Sequence, residues 1–353
     1  MLDAKPSIGG DPEFFVLYNK EPISADAFFK PKGRGRKIFF DGFQAEINPE
    51  PSYCREIFAN NVQRLLLIAK SRLPENAILF PIATIHIAKK HLEGVNFECL
   101  RFGCSPDYSV YTEERPEYPD GRTHLKRYAG GHIHVGVKGY SMFNNTQHII
   151  KTIKLMDRLA GLMSVVLSPY DDERERREYY GQAGTYRLNS HGIEYRTPSS
   201  FWITSPILLS IMTGLTRNAI RYSANEIGEK ILESPEDEEI IRIINKCDRK
   251  SAFDYITEYH KIISKYLSNK RVKNFEQYPL AKKSVFKAIS MFHEKGGYRY
   301  FFNPSLITRY YTASDVLPSG IDTFANFLKH FDAKEVKEIF NGGEDTWKYN
   351  IGK

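Results

Sequence analysis

The chain has 353 residues, of which 41% are hydrophobic, 26% charged and 13% aromatic. That is enough for one large α+β domain or two ordinary ones, and too apolar and aromatic for a disordered chain. The formal net charge of +7 suits an anionic partner such as a nucleotide, yet it is not gathered into a tail, and no apolar stretch approaches the roughly 20 residues that cross a bilayer.

The first two hundred residues read as strands and turns. Expected strands are Glu13–Tyr18, Lys37–Phe40, Phe43–Asn48, Ile82–Ala88, His132–Val137, Thr185–Leu188 and Ile193–Thr197, because each is a short apolar or alternating run bounded by Gly, Pro or Asp. Helices are expected at Tyr53–Arg72 and Thr146–Leu167, the second with Ile149, Ile153, Met156 and Leu159 at helical spacing. From about Ser205 the pattern turns helical: Ile207–Tyr222, Glu238–Cys247, Ala252–Leu267, Lys282–His293 and Ile321–Phe331. The segment Ser234–Glu239 (SPEDEE) resembles a helix start, with Pro first and acids in the first turn. The expected division is a sheet domain over 1–205 and a mainly helical region over 206–353, either a cover on the sheet or a separate subdomain.

Residues two apart on a strand share a face. In Phe43–Asn48 this sets Gln44, Glu46 and Asn48 opposite Phe43, Ala45 and Ile47. His132 and His134 oppose Ile133 and Val135, and Glu194 and Arg196 oppose Ile193 and Tyr195. Glu13 opens an otherwise apolar strand behind Asp11 and Pro12. Solvated strand faces carry Lys, Thr, Ser and Gln; these carry Glu, His, Asn and Arg beside glycines. If the faces line one cleft, Glu13, Glu46 and Glu194 repel one another unless a cation neutralises them. Carboxylate-rich ligation suits Mg²⁺ or Mn²⁺ rather than Zn²⁺, and arginines beside it suit phosphate oxygens.

Four segments occur in order: GGDPEFF (Gly9–Phe15), DGFQAEINPEPS (Asp41–Ser52), GGHIHVG (Gly130–Gly136) and GIEYRTPSSFW (Gly192–Trp202), with GQAGTYRL (Gly181–Leu188) before the last. Together they resemble the phage-type carboxylate–amine ligases, the type 2 COOH–NH2 ligases, of the glutamine synthetase and glutamate–cysteine ligase superfamily. The resemblance covers residues 8–205. It implies a glutamine-synthetase-like α+β fold: a curved, mainly antiparallel sheet with helices on one face and with ATP and divalent ions in its mouth. It implies metal ligation by Glu13, Glu46, His132 and Glu194, approach of His134 to the nucleotide phosphates, and a hold on the transferred phosphoryl group by Arg187 and Arg196. The first strand carries DPE where the larger enzymes have ExE, which puts Asp11 forward as a substitute ligand. Asp41 and Asn48 stay unassigned.

The implied activity is ATP-dependent joining of a carboxylate to an amine through an acyl phosphate, with ADP released. Expected partners are small-molecule or peptide acids and amines, with no membrane, no nucleic acid and room for a homo-oligomer. A cytoplasmic location is expected, that of a host cell if the chain is phage-encoded, since Met1–Gly10 shows no secretory signal and four unpaired cysteines suit a reducing compartment. Other readings are a metal-dependent hydrolase, a guanidino phosphotransferase of the same superfamily, or a non-catalytic phage binding protein.

Three further features bear on the cleft and its surroundings. The basic run Lys30–Lys37 reads as a loop between strands, solvated or folded over phosphates. The run Asp171–Glu178 (DDERERRE) reads as self-paired surface charge, with a phosphate contact as the lesser reading. His86 reads as a satisfied sheet or core histidine.

Overall fold

The computed structural model describes residues 6–102, 108–112, 119–137, 141–168, 173–190, 192–204, 206–270 and 279–281, with residues 286, 289, 290 and 293. The helix expected over Ile321–Phe331 and most of that over Lys282–His293 lie outside the described residues.

The described strands are β1 Ser7–Gly10, β2 Glu13–Tyr18, β3 Glu21–Ile23, β4 Ile38–Asp41, β5 Gln44–Ile47, β6 Ala77–Phe80, β7 Thr84–His86, β8 Tyr108–Ser109, β9 Lys126–Tyr128, β10 Ile133–Gly136, β11 Thr185–Asn189 and β12 Gly192–Tyr195. The α-helices are α1 Arg55–Ser71, α2 Phe97–Leu100, α3 Thr146–Met156, α4 Leu162–Leu167, α5 Glu173–Arg176, α6 Pro206–Ser223, α7 Glu226–Leu232, α8 Asp237–Lys246 and α9 Arg249–Asn269. One sheet has the order β1-β10-β12-β11-β8 and another β3-β2-β5-β4, with β6 also on β2. The named strand pairs are antiparallel.

The two larger sheets share one bent ribbon. β1 leaves the first sheet at Gly10, and β2 enters the second at Glu13. Between them the backbone never loses its partners: Asp11 N–H donates to His132 O at 3.4 Å, Glu13 N–H to Gly130 O at 2.8 Å, and Ile47 N–H to Pro12 O at 3.2 Å. Continuous pairing across the bend holds the polar faces of both sheets around one concavity.

Apolar alternation sets the other face against helices. Ile133, Val135, Ile193 and Tyr195 are buried, and Tyr195 donates its hydroxyl to Asp157 Oδ1 at 2.6 Å. Asp157 begins a π-helical turn, Asp157–Gly161, that interrupts the single helix expected over Thr146–Leu167 and joins α3 to α4. The extra residue per turn brings a carboxylate and small Ala160 and Gly161 toward the sheet, where a Cβ on Gly161 would stand 2.7 Å from the Tyr195 hydroxyl. Burial pushes the Asp157 carboxyl up to about 6, against the pull of its Tyr195 and Tyr111 hydroxyl donors. α6 packs on both α3 and β10, so helices lie on the sheet face away from the charged residues.

Caps delimit several helices. Asn145 accepts from Gln147 N–H and His148 N–H before α3, and Asp248 accepts from Ser251 N–H before α9. Acids Asp237, Glu238 and Glu239 fill the first turn of α8, as the SPEDEE segment led us to expect, and Cys247 closes it in the left-handed conformation. Cys54, Cys99 and Cys247 are free thiols.

One expectation about charged residues changes. Arg176 and Arg177 in the DDERERRE run are buried, not surface charge. Arg176 donates to the carbonyls of Arg196, Thr197 and Pro198, backbone groups left over where β12 ends. His86 takes the sheet alternative of its reading: it stands on β7, exposed, 3.5 Å from Glu175.

Close backbone approach at Gly131 makes the bend possible. A Cβ there would lie 2.1 Å from Ser199 O and 2.6 Å from Ser200 Cα, atoms that cannot swing aside. Gly131→Ala is expected to cost about 3 kcal/mol, the upper part of the overpacking range. Gly35→Ala, at φ +73° in open space, is expected to cost only about 1 kcal/mol of left-handed strain. Urea unfolding of both variants checks the order; equal losses would mean that the Gly131 approach is not needed.

Candidate active site

Strand register lines up a row of side chains across the first sheet. Gly9 faces His134, His134 faces Glu194, and Glu194 faces Arg187. A second row crosses the other sheet, Glu13 opposite Glu46 and Glu46 opposite Phe39, with Asp41 opposite Gln44. The period-two faces expected from sequence therefore form, and the bent ribbon puts Asp11 at their junction.

Two groups of potential metal ligands result. Ligand atoms of Asp11, His134 and Glu194 lie within 4.8 Å of one another, as do those of Glu13, Asp41 and Glu46. Asp11 Oδ1 lies 2.9 Å from His132 Nδ1 and 3.2 Å from His134 Nε2. Burial raises the Asp11 carboxyl, but the charges of His134 and His132 with their hydrogen bonds outweigh it and hold the group well below the usual carboxylate range. Burial lowers His134, and the Asp11 carboxylate more than reverses that, so its imidazole titrates above its ordinary value.

The second group is unbalanced. Burial, followed by the charge of Asp11, pushes Glu46 well above its ordinary value. Burial, followed by the charge of Glu13, moves Asp41 up to about 6. Glu13 is better provided for: its Oε2 accepts from Gly130 N–H at 2.6 Å and from Gln44 Nε2 at 3.3 Å. A cation reaches this group from the basic run, since Lys32 Nζ lies 3.8 Å from Glu46 Oε1 and 4.9 Å above the Phe39 ring.

The residues present fit divalent ions. Glu46 Oε1 in the second group is a buried atom with no hydrogen bond, and His134 Nε2 in the first lies between Asp11 Oδ1 at 3.2 Å and Glu194 Oε2 at 3.9 Å. Buried polar atoms are ordinarily paired, and an ion accepting a lone pair from Glu46 would complete it. Five carboxylates and one imidazole make an oxygen-rich donor set suited to Mg²⁺ or Mn²⁺.

The two histidines differ in what they touch. His132 has both ring nitrogens engaged, Nδ1 with Asp11 at 2.9 Å and Nε2 with the Tyr180 hydroxyl at 2.7 Å. His134 alone joins a carboxylate group. The two arginines differ as well. Arg196, 1% exposed, pairs through Nη1 with Glu194 Oε1 and donates through Nη2 to the Tyr180 hydroxyl at 3.0 Å. Arg187 is 44% exposed at its side chain and lies 3.8 Å from Glu194 Oε1.

Tyr180 was missed in the sequence. Its hydroxyl meets His132, Arg196 and, at 3.4 Å, Glu13 Oε1, joining the two rows. It sits in a turn after α5 with no periodicity to mark it. Asp11 and Asp41 carried a signal, as acids in the DPE and DGF segments, but strand alternation does not reach them.

A family model described as "Phage phiEco32-like COOH.NH2 ligase-type 2" matches residues 107–298. The matched span contains His132, His134, Arg187, Glu194 and Arg196, and begins after the early acids. Among solved structures, a bifunctional glutathione synthetase from Pasteurella multocida is similar at 13% identity with a TM-score of 0.44, over 95% of this chain and 52% of that one. The chain thus spans about half the length of that enzyme. No curated protein sequence matches.

The raised carboxyls fix a sign for pH dependence. Asp41, folded at about 6 against an unfolded value of about 3.9, keeps a proton that the unfolded chain releases. Its contribution to stability is full below the unfolded value and is lost as pH rises through the folded one. Glu46 acts in the same direction. The metal-free protein is therefore expected to lose stability between about pH 4 and pH 6, and Asp41→Asn to make that slope shallower. Urea unfolding in a chelator at several pH values measures it; an unchanged slope in Asp41→Asn would rule out this account of the acidic row.

Proposed function

Because the chain belongs to the phage phiEco32-like COOH.NH2 ligase-type 2 family, we propose that it is an ATP-dependent, ADP-forming carboxylate–amine ligase working on the concave face of a glutamine-synthetase-like sheet. The observation that carries this reading is the pair of carboxylate groups on one polar face, with Glu46 Oε1 a buried ligand atom lacking a hydrogen bond. Asp11, His134 and Glu194 would hold one Mg²⁺ or Mn²⁺, and Glu13, Asp41 and Glu46 a second. Such ions supply charge neutralisation for the phosphate oxygens of ATP and for the transferred phosphoryl group.

In the proposed reaction a carboxylate oxygen of the substrate attacks the γ-phosphorus of ATP. The bond from that phosphorus to the bridging oxygen breaks, and ADP leaves. The amine nitrogen then attacks the acyl carbon of the acyl phosphate, its C–O bond to phosphate breaks, and the nitrogen gives up a proton as the amide forms. The acyl phosphate is already reactive, so the protein's work is positioning and fixed charge. Arg187, at the open margin of the polar face, is the arginine placed to meet a phosphoryl group. Arg196, enclosed by Glu194 and Tyr180, orients the Glu194 carboxylate. His132 holds Asp11, and its partner Tyr180 keeps His132 and Arg196 in register.

Substrates of this class are small-molecule or peptide acids and amines. Among the described residues no helix is long and apolar enough to cross a membrane.

A screen of ADP release with ATP, Mg²⁺ or Mn²⁺ and a matrix of acids and amines tests the reading. ADP is expected only where an acid and an amine are both present, with a product whose mass is their sum less water. A phosphorylated acceptor without condensation would instead indicate a phosphotransferase. Glu194→Gln is expected to abolish amine-dependent ADP release while the circular dichroism spectrum is kept; normal turnover would remove Glu194 from the site.

A further inference from the structure

A second concavity lies away from the polar sheet face, between the turn that follows α5 and one side of α8. It encloses about 300 Å³, the lower end of the range for small-molecule sites. Arg174 and Arg177 line it from one side and Arg242 and Lys246 from the other, with the amides of Gln182 and Asn245 between them and Glu178 as its acid.

Among the described residues, two of the four cations have carboxylate partners and two do not. Arg242 is fixed by Glu239 at 2.7 and 2.8 Å and by Asp248 at 2.9 Å. Buried Arg177 is anchored by the Ser164 hydroxyl at 3.1 Å and lies 3.8 Å from Glu173. Arg174 and Lys246 have no ion-pair partner among the described residues, and Glu178 is the acid among the lining side chains. Asn245 Oδ1 already accepts from Ala183 N–H at 2.8 Å, and that fixes its amide with the nitrogen left as a donor.

We propose that this cavity is a second ligand site, separate from the ligase cleft, for a small anion carrying a phosphate or carboxylate group. Guanidinium and ammonium groups match the oxygens of either anion, and arginine does so bidentately. Arg177 and Arg242, held by their own partners, are set in place before binding, so little ordering remains when a ligand arrives. The same turn carries Tyr180 toward His132 and Arg196 on its other side. Gln182 O also accepts from the Thr185 and Thr197 hydroxyls at 2.7 and 3.0 Å, at the start of β11 and just past β12. An anion drawn onto this turn therefore bears on the element that orders the cleft.

Calorimetric titration of the full chain with tripolyphosphate and with glutarate, in low-salt chelator buffer without ATP or amine, tests the site independently of the ligase reading. Saturable binding of at least one probe is expected, and the probe that binds identifies phosphate or carboxylate as the recognised group. Arg174→Glu and Lys246→Glu are each expected to weaken it about tenfold or more. Asn245→Asp, which keeps the acceptor for Ala183 and adds a negative charge, is expected to do the same. Arg187→Ala, in the cleft, is expected to leave binding unchanged. No saturable binding of either probe, or binding that survives the charge reversals and disappears in Arg187→Ala, overturns the proposal.

Discussion

Like charge on a buried face is the constraint around which this protein is arranged. Asp11, Glu13, Asp41, Glu46 and Glu194 come within two small groups on a surface largely closed to water. Burial first, and repulsion between the carboxylates second, resist ionisation, which shows as the raised Glu46 and Asp41. Among the described residues, part of the charge is answered by the chain itself: the histidines at Asp11, Arg196 and Arg187 at Glu194, and Lys32 at the edge of Glu46. On the proposed reading, cations from solution answer the remainder once the fold has brought the acids together.

Holding them requires rigidity from the opposite face. Antiparallel register fixes which residue stands beside which, and one-residue slips would send every ligand into the helical layer. The Tyr195–Asp157 hydrogen bond pins β12 to the π-turn, and Arg176 collects the loose carbonyls where that strand ends. Buried arginines at such a place are packing and hydrogen-bonding devices for the backbone, although in sequence they look like part of a charged surface run.

Much of the sheet was legible because strand alternation is a strict rule. Glu46, the His132 and His134 pair, and the Glu194 and Arg196 pair were set on polar faces by period two alone; register aligns Glu46 with Glu13 and His134 with Glu194, and His132 and Arg196 stand just beyond the strand ends. Alternation does not say how far a side chain reaches or what it meets across the bend. It left His132 and His134 equivalent, whereas one binds Asp11 and Tyr180 and the other joins the carboxylates. Asp11 lies between strands, where no period applies, and Tyr180 comes from a turn distant in sequence. The π-turn was read as continuous helix because Leu159 and Leu162 keep apolar spacing through it, and the strand Ala77–Phe80 was passed over as too short a run after Pro74.

The central claim is that two ions sit side by side on one sheet face. Electron paramagnetic resonance of the protein titrated with Mn²⁺ tests it directly, because two Mn²⁺ ions held side by side couple through their spins. The account predicts two Mn²⁺ per chain, with an exchange-broadened signal that reverts to a simple six-line spectrum when Glu46 is replaced by Gln. A single isolated Mn²⁺ signal at saturation, or two uncoupled ones, would contradict it.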